Sequence, residues 1–196
     1  MEETKQGSHT KEGEHHVEDA LHVPNHTQKR LLVVGTETAL FDTTSSVRAR
    51  ILAYTKCFSA VDIIVMCGTG FTTMHSEGSV TIIPTNSSSR LMRFLDAVRI
   101  GRSLTKPDIV TVQDPFETGL AGLRIASYKK AAFHVQVHTD LFSPMFRTTL
   151  LNRIRVAIAR HVLSRAHRIR VVSARIKASI EARIPQTRSV SVLPIF

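Results

Sequence analysis

From Lys29 onward, short apolar runs alternate with stretches of helical periodicity. Arg30-Leu-Leu-Val-Val34 is a continuous β-branched run, the pattern of a strand buried on both faces of a parallel sheet, and it ends at Gly35-Thr36-Glu37-Thr38. Ser45-Ser46 is placed to cap a helix from Val47 to Lys56, and Val61–Met66 reads as the next strand, closed by Cys67-Gly68-Thr69-Gly70. Val80–Pro84 is a short strand. Asn86 or a following serine starts a helix with Leu91, Phe94, Leu95, Val98 and Ile100 at helical spacing, ending near Ser103.

The same alternation continues to the last residue. Pro107–Val112 is a strand, Glu117–Lys129 a helix striped by Leu120, Leu123 and Ile125, and Ala132–Val137 another strand. A long helix from Arg147 to Ser164 is expected to bury Leu150, Leu151, Ile154, Ala157, Ile158, Val162 and His161, leaving Arg153, Arg155 and Arg160 outside. Ile169–Val172 is a strand, Ser173 caps a helix over Ala174–Arg183, and Val190–Leu193 is a last strand. These steps suit right-handed crossovers, so the pattern predicts an α/β fold: a doubly wound, mostly parallel, Rossmann-like sheet.

Composition limits the alternatives. A chain of 196 residues with 42% hydrophobic content can bury one good core, which predicts one domain over residues 29–196 after a polar tail over residues 1–28. The tail holds six carboxylates against two lysines, so the folded part is more basic than the chain's net charge of +10. His9, His15, His16 and His22 lie in that tail with no ordered frame to fix metal ligands, and they read as solvated. Cys57 and Cys67 have no partner at disulfide or zinc spacing, and they are expected to be small buried hydrophobes in a reducing, cytoplasmic compartment. No apolar run approaches the ~18–20 residues that cross a bilayer.

The polar residues that end the central strands are the candidates for chemistry. In an open parallel sheet, ligands collect beyond the carboxyl ends of strands, so Asp114, Glu117, His138 and Asp140 are expected along one crevice. Asp114-Pro115 also has the form of a helix-starting cap, and the residues leave both roles open. His134, inside its strand, reads as a packed, hydrogen-bonded histidine.

Asp114-Pro-Phe-Glu-Thr-Gly-Leu120, His134-Val-Gln-Val-His-Thr-Asp-Leu-Phe-Ser-Pro144, the arginine-rich helix, Arg170-Val-Val-Ser173 and Ser191-Val-Leu-Pro194 occur in that order. Together they resemble the amino-terminal, acceptor-side domain of a family 4 (group 1) retaining glycosyltransferase of the GT-B fold, over Leu31 to Phe196. The resemblance implies transfer of a hexose from a nucleotide-sugar co-substrate to a sugar or lipid-linked acceptor, with no metal required. It places His138 beside the donor sugar, where an imidazole serves as neutral hydrogen-bond donor and acceptor. It sets Asp114, Glu117, Thr139 and Asp140 on the acceptor wall, and Gly35, Thr36 and Glu37 near the donor phosphates, although only one glycine stands there. The carboxy-terminal donor domain of such enzymes has no counterpart in this sequence, and the isolated chain is therefore expected to be inactive.

The arginines of the long helix, with Arg165, Arg168, Arg170, Arg175 and Lys177, form a second feature. Such a stripe attracts anionic surfaces, which suggests a peripheral position at the inner face of a membrane or simply a solvated face. Nucleic acid is disfavoured because interleaved aromatics and a recognisable module are missing. A nicotinamide oxidoreductase is disfavoured because GTETAL follows the first strand where G-x-G-x-x-G is needed. A non-catalytic anionic-surface module stays as the alternative to sugar transfer.

Overall fold

A computed structural model describes residues 29–76 and 80–194; the acidic, histidine-bearing segment lies outside the described residues. Among the described residues, eight strands form one sheet in the order β3-β4-β2-β1-β5-β6-β7-β8. They are β1 (Arg30–Gly35), β2 (Ala60–Val65), β3 (Met74–Ser76), β4 (Val80–Pro84), β5 (Ile109–Val112), β6 (Ala132–Val137), β7 (Arg168–Val171) and β8 (Val190–Val192). Neighbours pair in parallel, except that β3 runs antiparallel along β4 at the sheet edge, with Met74 opposite Ile82. Without β3, the order is that of a doubly wound sheet whose direction of winding reverses between β1 and β5. The predicted Rossmann-like class is therefore the observed one, with an antiparallel edge that periodicity did not reveal.

Among the described residues, five α-helices lie between strands: α1 (Ser46–Thr55), α2 (Arg90–Ser103), α3 (Glu117–Lys129), α4 (Leu150–Leu163) and α5 (Ala174–Arg183). Four begin on a hydroxyl cap, which satisfies an N–H that the first turn leaves unpaired. Ser45, Ser89, Thr149 and Ser173 accept from the N–H groups of Arg48, Met92, Asn152 and Ile176. Asn86 does not start α2. It sits at φ 50° and pins the preceding loop, accepting from the Phe71 N–H at 3.2 Å and donating to the Phe71 carbonyl at 2.7 Å. Arg147 falls in a short 3-10 turn, Phe146–Thr148, so α4 begins three residues later than expected.

The sheet separates two apolar clusters. Leu32, Val34, Val110, Val112, Phe133, Val135, Ile169 and Val171 point to one face, where the buried sides of α2, α3, α4 and α5 pack on them. On the other face, Val61, Ile63, Val65 and Ile82 meet Leu40, with Ile51 and Leu52 of α1 half-buried beside them. This second cluster ends at β1. Beyond it, the same face of β5–β8 presents Thr111, His134, Gln136, Arg168, Arg170 and Ser191, and among the described residues no helix crosses them.

Two expectations about burial fail. Cys67 is buried, but Cys57 is exposed in the turn after α1. In α4 the buried residues are Val156, Ala159, Val162 and Leu163, whereas Leu150, Leu151, Ile154, Ala157 and His161 are exposed. The reason is that α4 is apolar along two sides, and periodicity alone does not say which side meets the sheet.

Candidate functional site

The loops that leave β1, β5 and β6 emerge side by side at the carboxyl end of the sheet, across the point where its winding reverses. Gly35 closes β1, and the Gln113 side chain lies directly against it: a Cβ at position 35 would overlap the Gln113 amide. The one glycine of this loop therefore admits a neighbouring side chain. Thr36 is exposed, and Glu37 turns back to accept from the Ala39 N–H at 3.0 Å, capping a 3-10 turn over Thr38–Phe41.

Asp114 follows Gln113 and shapes the turn into α3, although the helix itself starts after Phe116 with no side-chain cap. Its carboxylate accepts from the Phe116 N–H at 2.8 Å, and its carbonyl accepts from the Thr118 hydroxyl at 3.2 Å. Gly119 brings α3 close, since a Cβ there would stand 2.8 Å from the Asp114 carbonyl oxygen. Glu117, in the first turn of α3, is held by Arg155 of α4, with Nε and Nη2 at 3.1 and 2.9 Å from one carboxylate oxygen. Arg155 also covers the Phe116 ring, which stacks on Phe146 with centroids 5.5 Å apart. Glu117 is thus a tethered carboxylate at the wall, facing α4.

His138 is exposed one residue beyond β6 and makes no hydrogen bond with any described residue. Asp114 follows β5 and His138 follows β6, neighbouring parallel strands, so the two stand on one rim. Thr139 beside His138 is exposed. Asp140 turns away, accepting from Ser179 at 3.2 Å and pairing with Arg175 at 3.5 Å, so it anchors α5. Gly35, Thr36, Asp114, His138 and Thr139 therefore line the rim, while Glu37, Glu117 and Asp140 are engaged with neighbouring elements.

Charge and burial set the protonation of this rim. Burial raises the Asp114 pKa, and Glu117 adds to the rise, while hydrogen bonding from Thr118 and Phe116 and the charge of Arg155 oppose it. Although much of His138 is open to solvent, partial desolvation of its ring lowers its pKa, Arg170 lowers it further, and Asp114 opposes. His138 is therefore neutral at neutral pH, with one ring nitrogen able to donate and the other to accept.

Three residues outside the predicted set shape the site: Gln113, Arg155 and Arg170. Arg170 reaches Gln136 and the Leu193 carbonyl, each at 3.5 Å, and its buried Nε has no partner. Gln113 was legible only as the first residue past the strand Pro107–Val112, and Arg155 only as one arginine among many. His134 is half-buried, 2.8 Å from the Thr111 hydroxyl on the uncovered face. It borders a concavity of about 600 Å³ with Lys29, Asp108, His167 and Arg168 near the amino ends of β1, β5 and β6, away from the rim. Among the described residues no cluster of His, Cys, Asp or Glu has the form of a metal site, and no helix is long and apolar enough to cross a membrane.

Comparison with known proteins agrees with the fold. The family model for Glycosyltransferase Family 4 matches residues 60–194. Among solved structures, sucrose-phosphate synthase from Thermosynechococcus elongatus is similar, with a TM-score of 0.61, 10% identity, and coverage of 86% of this chain and 90% of that one. HepE from Anabaena, solved in complex with UDP-glucose, aligns with a TM-score of 0.54 and 10% identity over 82% of this chain and 43% of its own. UDP-GlcNAc 2-epimerase from Methanocaldococcus jannaschii aligns with a TM-score of 0.52 and 14% identity over 84% of this chain and 45% of its own. No curated protein matches.

Proposed function

Because the chain belongs to Glycosyltransferase Family 4, we propose that it forms the acceptor-side wall of a retaining glycosyltransferase, which moves a hexose from a nucleotide sugar to a sugar or lipid-linked acceptor. The observation that carries this reading is the placement of exposed His138 after β6 and of Asp114 after β5, on neighbouring strand ends beside the winding reversal. A second lobe, binding the nucleotide, faces this rim. Closure of the two excludes water and sets the acceptor hydroxyl against the anomeric carbon. The acceptor oxygen bonds to that carbon as its bond to the diphosphate breaks; the nucleoside diphosphate leaves with the electron pair, and the hydroxyl proton passes to the departing phosphate. His138 holds sugar hydroxyls in place during this exchange, and Asp114 accepts from hydroxyls of the acceptor. Gly35 and Thr36 lie where the donor phosphates approach, Thr139 extends the acceptor wall, and Glu37, Glu117 and Asp140 hold these loops in position. The chain by itself transfers nothing, since half of the site is supplied by the other lobe.

Two measurements test the reading. Titrating the chain with oligosaccharide acceptors should shift amide resonances at residues 35–37, 113–117 and 138–140; shifts confined to the concavity around His134 and Arg168 would place binding elsewhere. In a two-lobed form, His138→Ala should lower kcat by about ten- to a hundredfold, the worth of a lost hydrogen bond to the reacting sugar. Unchanged turnover removes His138 from the site. The alternative, a non-catalytic module for anionic surfaces, draws on the run from Leu141 to Ser173, which holds seven arginines and no carboxylate.

A further inference from the structure

The outward side of α4 is the least ordinary surface of the molecule. Leu150, Ile154 and Ala157 follow one another at spacings of four and three, so they form one apolar line along the helix, which the polar His161 ends a turn later. That line faces solvent: Leu150 is 74% exposed, Ile154 51%, Leu151 on its flank 47%, and Met145 in the preceding turn 83%. Scattered exposed apolar residues are ordinary, but a contiguous line of them marks an interaction surface. Arg153 and Arg160 run along the other flank, Arg147 lies at the amino end, and no carboxylate occurs from Leu141 to Ser173.

We infer that this face of α4 docks on an anionic lipid bilayer, with Met145, Leu150, Leu151 and Ile154 entering the interface and Arg147, Arg153 and Arg160 at the headgroups. An apolar line flanked by arginines is what lies in the plane of a membrane surface, where long cationic side chains reach up to phosphates while their stems stay among acyl chains. The lack of any carboxylate removes the repulsion that a negatively charged surface would otherwise meet. Because α4 starts just past the loop that leaves His138, docking brings the bilayer beside the rim. On the sugar-transfer reading, which this consequence rests on, the acceptor is then a lipid-anchored one; the docking surface itself does not depend on that reading.

The test is co-sedimentation of the full chain with phosphatidylcholine vesicles with and without phosphatidylglycerol. Binding is expected only with the anionic lipid and should weaken as salt is raised. Leu150→Asp with Ile154→Asp should reduce it at least about tenfold. Arg153→Gln and Arg160→Gln should each reduce it about fivefold. Tyr54→Asp, an equally exposed apolar position on α1, should leave binding intact, as should His138→Ala, so failure of the sugar reading leaves this result standing. The inference is overturned by equal binding to neutral vesicles, by no vesicle binding, or by self-association that Leu150→Asp abolishes in the absence of lipid. Tighter binding to nucleic acid that ignores Leu150→Asp overturns it as well.

Discussion

Gln113 of β5's exit loop rests on the backbone of Gly35 at the end of β1, so the first two loops of the rim are packed as one unit. A methyl group at position 35 has no room while the Gln113 amide stays where it is, but that amide terminates a flexible side chain. Gly35→Ala should therefore displace Gln113 and cost under about 1 kcal/mol by urea denaturation. Acceptor-induced shifts at residues 113–117 should weaken, and Gln113→Ala in the same background should restore the lost stability.

Gly119 presents the opposite case, because the atom its Cβ would meet is backbone. The Asp114 carbonyl cannot rotate away without moving the strand end, so Gly119→Ala should cost about 1–3 kcal/mol. Thr118→Val, which keeps the volume but loses the hydroxyl to the same carbonyl, should cost about 1 kcal/mol. A larger loss for Thr118→Val than for Gly119→Ala would show that hydrogen bonding, not close packing, fixes Asp114.

The pH dependence has two signs. Asp114 has a raised pKa in the folded protein, so folding favours its protonated form, and the charged carboxylate costs stability above the raised value. Asp114→Asn should thus stabilise the protein at neutral pH, with the gain shrinking as pH falls toward 3.8. His134 and His138 have lowered pKa values, so the folded state binds their protons more weakly than the unfolded chain does. Their contribution is fully present above 6.5 and falls away as pH drops below it. Urea midpoints of the parent, Asp114→Asn and His134→Gln across this range measure each part.

Glu117 and Arg155 join α3 to α4 through a short ion pair whose partners are 41% and 28% exposed. Water and salt screen such a pair, so a double-mutant cycle with Glu117→Gln and Arg155→Met should yield a coupling below about 1 kcal/mol that diminishes with salt. A larger, salt-insensitive coupling would mean that the pair is desolvated, with Phe116 shielding it.

The fold was legible because its strands are apolar and its helices are started by hydroxyl caps. Both features act within a few residues. The runs at β1 and β2 and the caps at Ser45 and Ser173 emerged as expected for this reason. What the sequence withheld depends on contacts between distant segments. The outward leucines of α4 have the spacing of a core stripe; Val162 is buried as expected, but only the sheet's position shows that Val156 and Ala159 join it while Leu150 and Leu151 do not. Cys57 carries no signal that distinguishes a turn from a core. At the rim, the strand-end rule placed Asp114 and His138 together, but it gave no means of seeing that Asp140 would turn to Ser179 or that Arg155 would hold Glu117.

The second apolar cluster has a consequence for how the molecule breathes. Its outer cover is α1, whose fully buried positions are Arg48 and Thr55, with Ile51 and Leu52 only half sheltered. An element so weakly anchored detaches at small free-energy cost, long before the layers on the opposite side do. Amide deuteration should therefore sweep through α1 first and reach the backbone of β1 and β5 last, leaving the rim intact while the far flank opens.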